Sequence, residues 1–286
     1  MFCGCGGMGL GFKQAGFDIV EAYDFDRYAV QSYNANIGNH AKQVDITTQT
    51  WEDMPKVDVW SFGFPCTNLS YSGNRAGLYK GEQSRLFFEV MRLLDETIKN
   101  NSDNLPKVIV AENVTGLKPY LGVLEEEYAK RGYKMYYTLY NSKYWGVPQS
   151  RERYFVVGTR LDKTFDFLQE KTDFIPKLST ILEKDVDERH YISDEKAKTI
   201  IEQALKRISC LGTVHATLTP DRITKKQNGR RAKEDEEPMY TLTTNDLHGI
   251  IIEEQPKIEV IGMLDTNWHD HSRRVHNPEG LSPVLS

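Results

Sequence analysis

From residue 17 to about residue 160, short apolar runs alternate with amphipathic stretches, and this rhythm constrains the fold more than any single motif does. Apolar runs of roughly four to eight residues suit buried strands, whereas apolar residues recurring every third or fourth position suit one face of a helix. The runs "VDVWSFGF" (57–64), "KVIVAENV", "KMYYTLYN" and "RYFVVGTR" read as strands. Between them, "SRLFFEVMRLLDETIKN" sets Leu86, Phe87, Val90, Leu93, Leu94 and Ile98 on one helical face, and "GVLEEEYAKRGY" predicts another helix. Such alternation predicts an α/β domain around a mostly parallel sheet over residues 1–160. Beyond about residue 160 the rhythm breaks. "YISDEKAKTIIEQALKRI" predicts one helix, and the rest is short β-like pieces between Gly, Pro, Asn and charge clusters. A second, smaller and irregular, partly β domain is expected over 161–286.

The composition, 39% hydrophobic and 27% charged, is that of an ordinary globular protein. No apolar run approaches the roughly 18 residues that span a bilayer, and no basic stretch leads into an apolar one at the start, so a cytoplasmic, unanchored protein is expected. Cys3, Cys5, Cys66 and Cys210 lack the paired spacing of metal ligands, so neither a zinc site nor a disulfide framework is expected. A net charge of -5 argues against coating nucleic acid through the overall field. A local patch exists in "TKKQNGRRAK", with Lys225, Lys226, Arg230, Arg231 and Lys233, but the acids of "EDEEP" follow directly and a solvated loop is the plainer reading.

The chain opens with "MFCGCGGMGLGF", where Gly4, Gly6, Gly7, Gly9 and Gly11 leave the backbone bare. Glycine-rich stretches are often plain turns. Here "MGLGFKQAGF" continues at helical spacing and "DIVEAYDFD" reads as a strand ending in acids, which puts Asp24 about 20 residues past the start of the loop. A carboxylate at that distance suits a ribose hydroxyl pair, and a nucleoside-containing cofactor is the working hypothesis.

In open parallel sheets, ligands bind beyond the carboxyl ends of the strands. The glycine loop, Asp24, Pro65-Cys66 and Glu112-Asn113 all fall at or just past predicted strand ends. Cys66 stands in "GFPCTNLSYSG", in a loop running to about residue 84; most free cysteines are small buried hydrophobes, but this one is placed to be exposed. A thiolate there is a nucleophile if a nearby cation or helix N-terminus lowers its pKa. Glu112 reads equally as a surface acid, and Arg151 and Arg153 as a surface ladder around Glu152.

Taken in order and at these separations, "FCGCGG", "GFPCTNLSYSG", "ENV" and "QSRERYFVVG" resemble the cytosine-5 DNA methyltransferases over about the first 160 residues. The resemblance implies a Rossmann-like S-adenosylmethionine-dependent fold followed by a target-recognition domain. It places Phe2 on the adenine of S-adenosylmethionine and the backbone of Gly4, Gly6 and Gly7 on the methionine portion. Asp24 falls at the ribose position, usually Glu in the family, with Phe25 packing on the adenine beside it. Asp45 would accept from the adenine amine, and Ile46 and Leu86 would line the site. Cys66 becomes the nucleophile with Pro65 shaping its turn. Glu112 and Arg153 would grip the cytosine edge, supported by Asn113, Gln149 and Arg151. The implied partner is double-stranded DNA, with the cytosine flipped into the site and the loop after Cys66 closing over it. Ser70, Ser72, Lys225, Arg230, Arg231 and Arg273 are the candidates for DNA contact.

Two departures stand out. Only Met1 precedes Phe2, where the family has several apolar residues of a first strand, and no counterpart of the family's later Arg-containing motif or closing segment follows "SPVLS". A fragment, or one half of a split enzyme with a complementary polypeptide, is therefore expected, and otherwise a monomer. An RNA cytosine methyltransferase of the same architecture and a non-catalytic DNA-binding subunit are the rival readings. A dehydrogenase would explain the glycines but leave Cys66, Glu112 and Arg153 without roles.

Overall fold

A computed structural model describes residues 1–65, 85–171, 175–206, 214–224, 229–242 and 246–252, and the backbone of Lys257–Val260. The chain forms two compact units, Met1–Tyr140 with Glu152–Gln169, and Asn141–Arg151 with Glu170–Ser286.

In the first unit, α1 (Gly7–Gln14) leads to β1 (Ala22–Asp24), α2 (Arg27–Asn36) and β2 (Ala41–Gln43). Asp26 caps α2, its carboxylate accepting from Tyr28 N at 2.7 Å and so satisfying an otherwise orphaned helical amide. β1 and β2 pair in parallel. Asn34 secures their connection, donating from Nδ2 to Ala41 O and accepting from Ala41 N at its Oδ1. β3 (Val59–Phe62), β4 (Val108–Asn113), β5 (Lys134–Asn141) and β6 (Glu152–Thr159) form a second sheet in the order β3-β4-β6-β5. β3 runs parallel to β4, and β6 antiparallel to it. The opening residues join the two sheets, since the Met1 amine donates to Ser61 O on β3 at 2.7 Å and Cys3 N to Tyr23 O on β1 at 3.0 Å. The short stretch before the glycine loop thus occupies a strand-like place with only three residues.

α3 (Leu86–Asn100) and α4 (Leu121–Lys130) pack on one face of this sheet. Of the face expected from the sequence, Phe87, Val90, Leu93 and Leu94 of α3 are buried, Leu86 is only partly so and Ile98, in the last turn, is exposed, while Met91 and Thr97 join the buried face. Trp60, Phe62, Ile109 and Ala111 meet them from the sheet. Gly158 of β6 stands opposite Ile109, and a Cβ there would lie 2.7 Å from both Ile109 and the Tyr128 ring, so the core closes only around a bare backbone. Arg131 ties the helices, with Nη2 on Asp95 at 2.5 Å and Nη1 on Glu127 at 2.7 Å.

The second unit packs α5 (Asp194–Leu205) through Ala197, Ile200, Ile201 and Ala204 against Ala232 and Ile251. β7 (Val214–Leu218), β8 (His248–Ile252) and β9 (Lys257–Val260) form an antiparallel sheet. A second small core, Leu178, Val214, Ala216, Met239 and Ile250, lies on the opposite face of β7 and β8, because strand side chains alternate. No helix among the described residues is long and apolar enough to cross a membrane.

Candidate active site

The glycine loop is shaped by two different demands. Gly6 has φ +97°, and a Cβ on it would lie 2.5 Å from Ile37 and 2.9 Å from the Tyr33 ring. A Cβ on Gly9 would meet the Tyr33 hydroxyl at 2.7 Å. Both glycines therefore let α1 settle onto α2. Gly4 is different: its φ is +52°, and nothing lies within 4 Å of the place a Cβ would take. Its amide donates to Asp24 Oδ2 at 2.8 Å, while Asp24 Oδ1 accepts from Asp26 N at 3.0 Å. Each carboxylate oxygen keeps a second acceptor position beyond these bonds. Phe2 also takes a positive φ of 54°, a conformation that costs a non-glycine residue about 1 kcal/mol or more.

Asp45 caps a short 3-10 turn, its Oδ1 accepting from Thr47 N at 2.9 Å and Thr47 Oγ1 at 2.8 Å. These donors hold its carboxyl below the usual range. Ile46 beneath it is buried, Leu86 packs partly into the core, and the Phe25 ring is 69% exposed. Gly7, the first residue of α1, is exposed. Burial pushes the Cys3 thiol up to about 12, so it stays protonated at neutral pH.

At the carboxyl ends of β3 and β4 the remaining groups gather. Glu112 and Asn113 are the last two residues of β4, so their side chains take opposite faces. Asn113, 2% exposed, turns inward, donating from Nδ2 to Phe64 O at 3.0 Å while its Oδ1 accepts from Val114 N at 2.8 Å. It thus holds the backbone just before the half-buried Pro65. Glu112 faces the other way beside Gly63, where a Cβ would lie 3.6 Å from Glu112 Oε2. Because β6 is antiparallel and Glu112 pairs with Phe155, Arg153 is the diagonal neighbour on the same face. Its Nε lies 3.1 Å from Glu112 Oε1, and its Nη1 donates to Glu152 O at 2.7 Å. Glu112 therefore stands against a cation rather than an apolar wall. Cys66 itself, with Ser70 and Ser72, lies outside the described residues, as do Lys225 and Arg273.

In the second unit, Gln149 and Arg151 are buried within the turn that precedes β6, and Gln149 Oε1 has no partner among the described residues. Arg231 is 4% exposed and donates to Gln203 Oε1 at 2.6 Å and Arg222 O at 2.7 Å, so its guanidinium knits α5 to the 222–223 loop instead of facing solvent. Arg230 is more open and pairs with Glu234 at 3.3 Å and Glu237 at 3.1 Å.

The profile of the C-5 cytosine-specific DNA methylase family matches residues 1–277. The chain belongs to that family. Orphan methyltransferase M.SPBetaI of Bacillus phage SPbeta is 27% identical, the alignment covering 91% of this chain and 84% of the phage protein. Type II methyltransferase M.Bsp6I of Bacillus sp. (strain RFL6) is 35% identical over 68% of this chain and 64% of its own length. Among solved structures, the S. pombe Dnmt2 methyltransferase shares the fold with a TM-score of 0.56 at 24% identity, covering 72% of this chain and 66% of that one. The Entamoeba histolytica methyltransferase EhMeth does so at 0.57 and 19%, covering 71% of this chain and 63% of that one.

Enzymes of this family are S-adenosylmethionine-dependent. The residues present fit that cofactor. Asp24 retains acceptor positions for a ribose, Gly4 leaves room over its α-carbon, and Asp45 Oδ2 has no partner among the described residues.

Proposed function

We propose that this chain is a DNA (cytosine-5-)-methyltransferase of the bacterial or phage modification type, acting on a flipped cytosine through a covalent Cys66 adduct. The observation that carries the reading is the Glu112–Arg153 pair at 3.1 Å, on the face beside Gly63 and three residues from Cys66. A carboxyl and a guanidinium side by side match the edge of a cytosine, which offers ring nitrogen 3 and the 4-amine to one and the 2-oxygen to the other.

Carbon 5 of cytosine is a weak nucleophile. Addition of the Cys66 thiolate to carbon 6 forms an S–C bond and makes carbon 5 enamine-like, splitting one difficult step into two easier ones. Glu112 shares a proton with ring nitrogen 3 and so offsets the charge that develops on the ring, while Arg153 holds the 2-oxygen. S-adenosylmethionine supplies the methyl group that carbon 5 accepts. Loss of the carbon 5 proton to a base or water then restores the double bond and expels the thiolate. Asn113 fixes the Phe64 carbonyl and with it the backbone leading into Pro65. Asp24 and Asp45 hold the cofactor's ribose and adenine, with Phe2, Phe25, Ile46 and Leu86 as its apolar surroundings.

The test is mass spectrometry after incubation with S-adenosylmethionine and sequence-diverse duplex DNA containing 5-fluorocytosine, beside Cys66→Ser. Fluorine at carbon 5 blocks the elimination, so the expected product is a methylated protein–DNA adduct that vanishes in the Cys66→Ser protein. A folded chain that methylates no DNA and forms no adduct overturns the reading.

A further inference from the structure

Three charged residues of α3, Glu89, Arg92 and Glu96, stand at the i,i+3 and i,i+4 spacings that put side chains on one face of a helix. Arg92 Nε donates to Glu89 Oε2 at 2.8 Å and Nη1 to Glu96 Oε1 at 2.7 Å, and the two bonds fix the plane of the guanidinium. Its remaining nitrogen, Nη2, leaves the helix for the stretch after β2, donating to Gln49 O at 2.9 Å and reaching Ile46 O at 3.4 Å. Glu96 adds a second hold on that stretch, its Oε2 accepting from Trp51 N at 3.3 Å.

The stretch held in this way begins at Asp45, which caps the turn Ile46–Thr48. The turn closes on itself, Thr48 N donating to Asp45 O at 3.1 Å and Gln49 N to Ile46 O at 3.3 Å, so residues 45–49 move as one piece. Gln49 O receives no backbone amide among the described residues, and Arg92 is its donor. Leu86 is the first residue of the same helix that carries Arg92. Through its guanidinium, α3 therefore carries both Leu86 and the Asp45 turn. Without that group the half-buried Gln49 loses the donor to its carbonyl, and the longer Trp51 bond and the buried Ile46 side chain are left to hold the turn.

We propose that Arg92 is a positioning residue for the adenine of S-adenosylmethionine, holding the Asp45 turn to the helix that begins at Leu86. The inference rests on the assignment of Asp45 to the adenine amine and of Leu86 to the same site. Arg92 bonds to carbonyls of the turn and to acids of its own helix, so it acts on the cofactor through the backbone.

The experiment measures binding to the full chain by calorimetry, without DNA, for S-adenosylhomocysteine and for S-inosylhomocysteine, which carries an oxygen where adenine carries its amine. A carboxylate accepts from the amine and repels the oxygen, so the wild type prefers the adenosyl compound. In Arg92→Met that preference should fall roughly tenfold, the size of one hydrogen bond to a charged group, with the Kd for S-inosylhomocysteine within about twofold of wild type. In an Asp45→Asn background, Arg92→Met should change the preference by less than about twofold, because the two residues act in series. An unchanged preference in Arg92→Met, both Kd values rising together, or a further loss of preference in the Asp45→Asn background overturns the inference alone. A wild type with no preference overturns the assignment of Asp45 and the inference with it. The Cys66 adduct is tested separately and is untouched by either result. If Arg92→Met does not fold, Arg92→Lys, which keeps the charge and loses the planar fork, takes its place under the same criteria.

Discussion

Gly4 and Gly6 stand two residues apart in the same loop, yet their surroundings call for different outcomes on substitution. A methyl group on Gly6 is driven into Ile37 and Tyr33 at a positive φ, so Gly6→Ala should lower stability by about 2 kcal/mol or more, read as a drop in Tm. Gly4→Ala meets nothing and carries only the backbone penalty, about 1 kcal/mol. Its methyl instead enters the space assigned to the cofactor, so the expected signature is weaker S-adenosylmethionine binding by calorimetry with a drop in Tm smaller than that of Gly6→Ala. Glu112→Gln removes the anion that faces Arg153 while keeping its size, and kcat should fall about 100-fold or more with folding intact, since general acid–base contributions are of that order. A variant retaining near wild-type kcat would remove Glu112 from the chemistry. At this scale the sequence was legible for residue type and order: Glu112, Asn113 and Arg153 were all marked by their motifs. Arg92 was not, because it acts through hydrogen bonds to backbone, and beside Glu89 and Glu96 it reads as an ordinary ion-paired helix face.

Among the elements, α3 and α4 are joined by one side chain that the hydrophobic pattern does not reveal. Arg131, 8% exposed at its side chain, spans Asp95 on α3 and Glu127 on α4, and its Nε also donates to Met91 O at 3.2 Å. Arg131→Met keeps the aliphatic stem but removes the links to Asp95 and the Met91 carbonyl and leaves the partly buried Glu127 with Lys130 alone, and a loss of about 1 kcal/mol is expected in chemical denaturation. No change in midpoint would mean that the pair contributes nothing beyond its packing. The helices and strands of the first unit were legible because apolar spacing reports which face is buried. The shortness of β1 and β2 was not, since their ends are set by where neighbouring backbone stops pairing. The stretch 141–151 clusters with the second unit, which its position before a first-unit strand does not foretell; the reason lies in bonds to Met239 and Thr241, about 90 residues away.

For the molecule as a whole, one pH effect is expected from a buried histidine of the second unit. His248 is 3% exposed, both ring nitrogens lack partners among the described residues, and burial, opposed only in part by Asp246, lowers its pKa to about 4. An unfolded chain protonates this ring near 6.5, whereas the folded protein does so only near 4. Between those values the unfolded state binds more protons, so stability is full above about 6.5 and is lost as pH falls towards 4, by roughly 3 kcal/mol from this group. Comparing denaturation of wild type and His248→Leu at pH 7.5 and 4.5 isolates the effect: the difference in stability should move in favour of Leu at the lower pH. A constant difference would show that the ring finds a partner when protonated.

The sequence by itself determined the α/β class, the family and the identity and order of the chemical groups, because apolar periodicity and closely spaced motifs are local and survive in one dimension. Tertiary structure alone decided what those groups face. It set Glu112 against Arg153 through an antiparallel register, turned Asn113 onto the Phe64 carbonyl, assigned Gly6 to packing and left Gly4 open, and buried Arg231 among carbonyls although it lies in a basic stretch. Contacts between residues distant in the chain depend on register and on which backbone groups remain unpaired, and neither is written in the identity of any one residue.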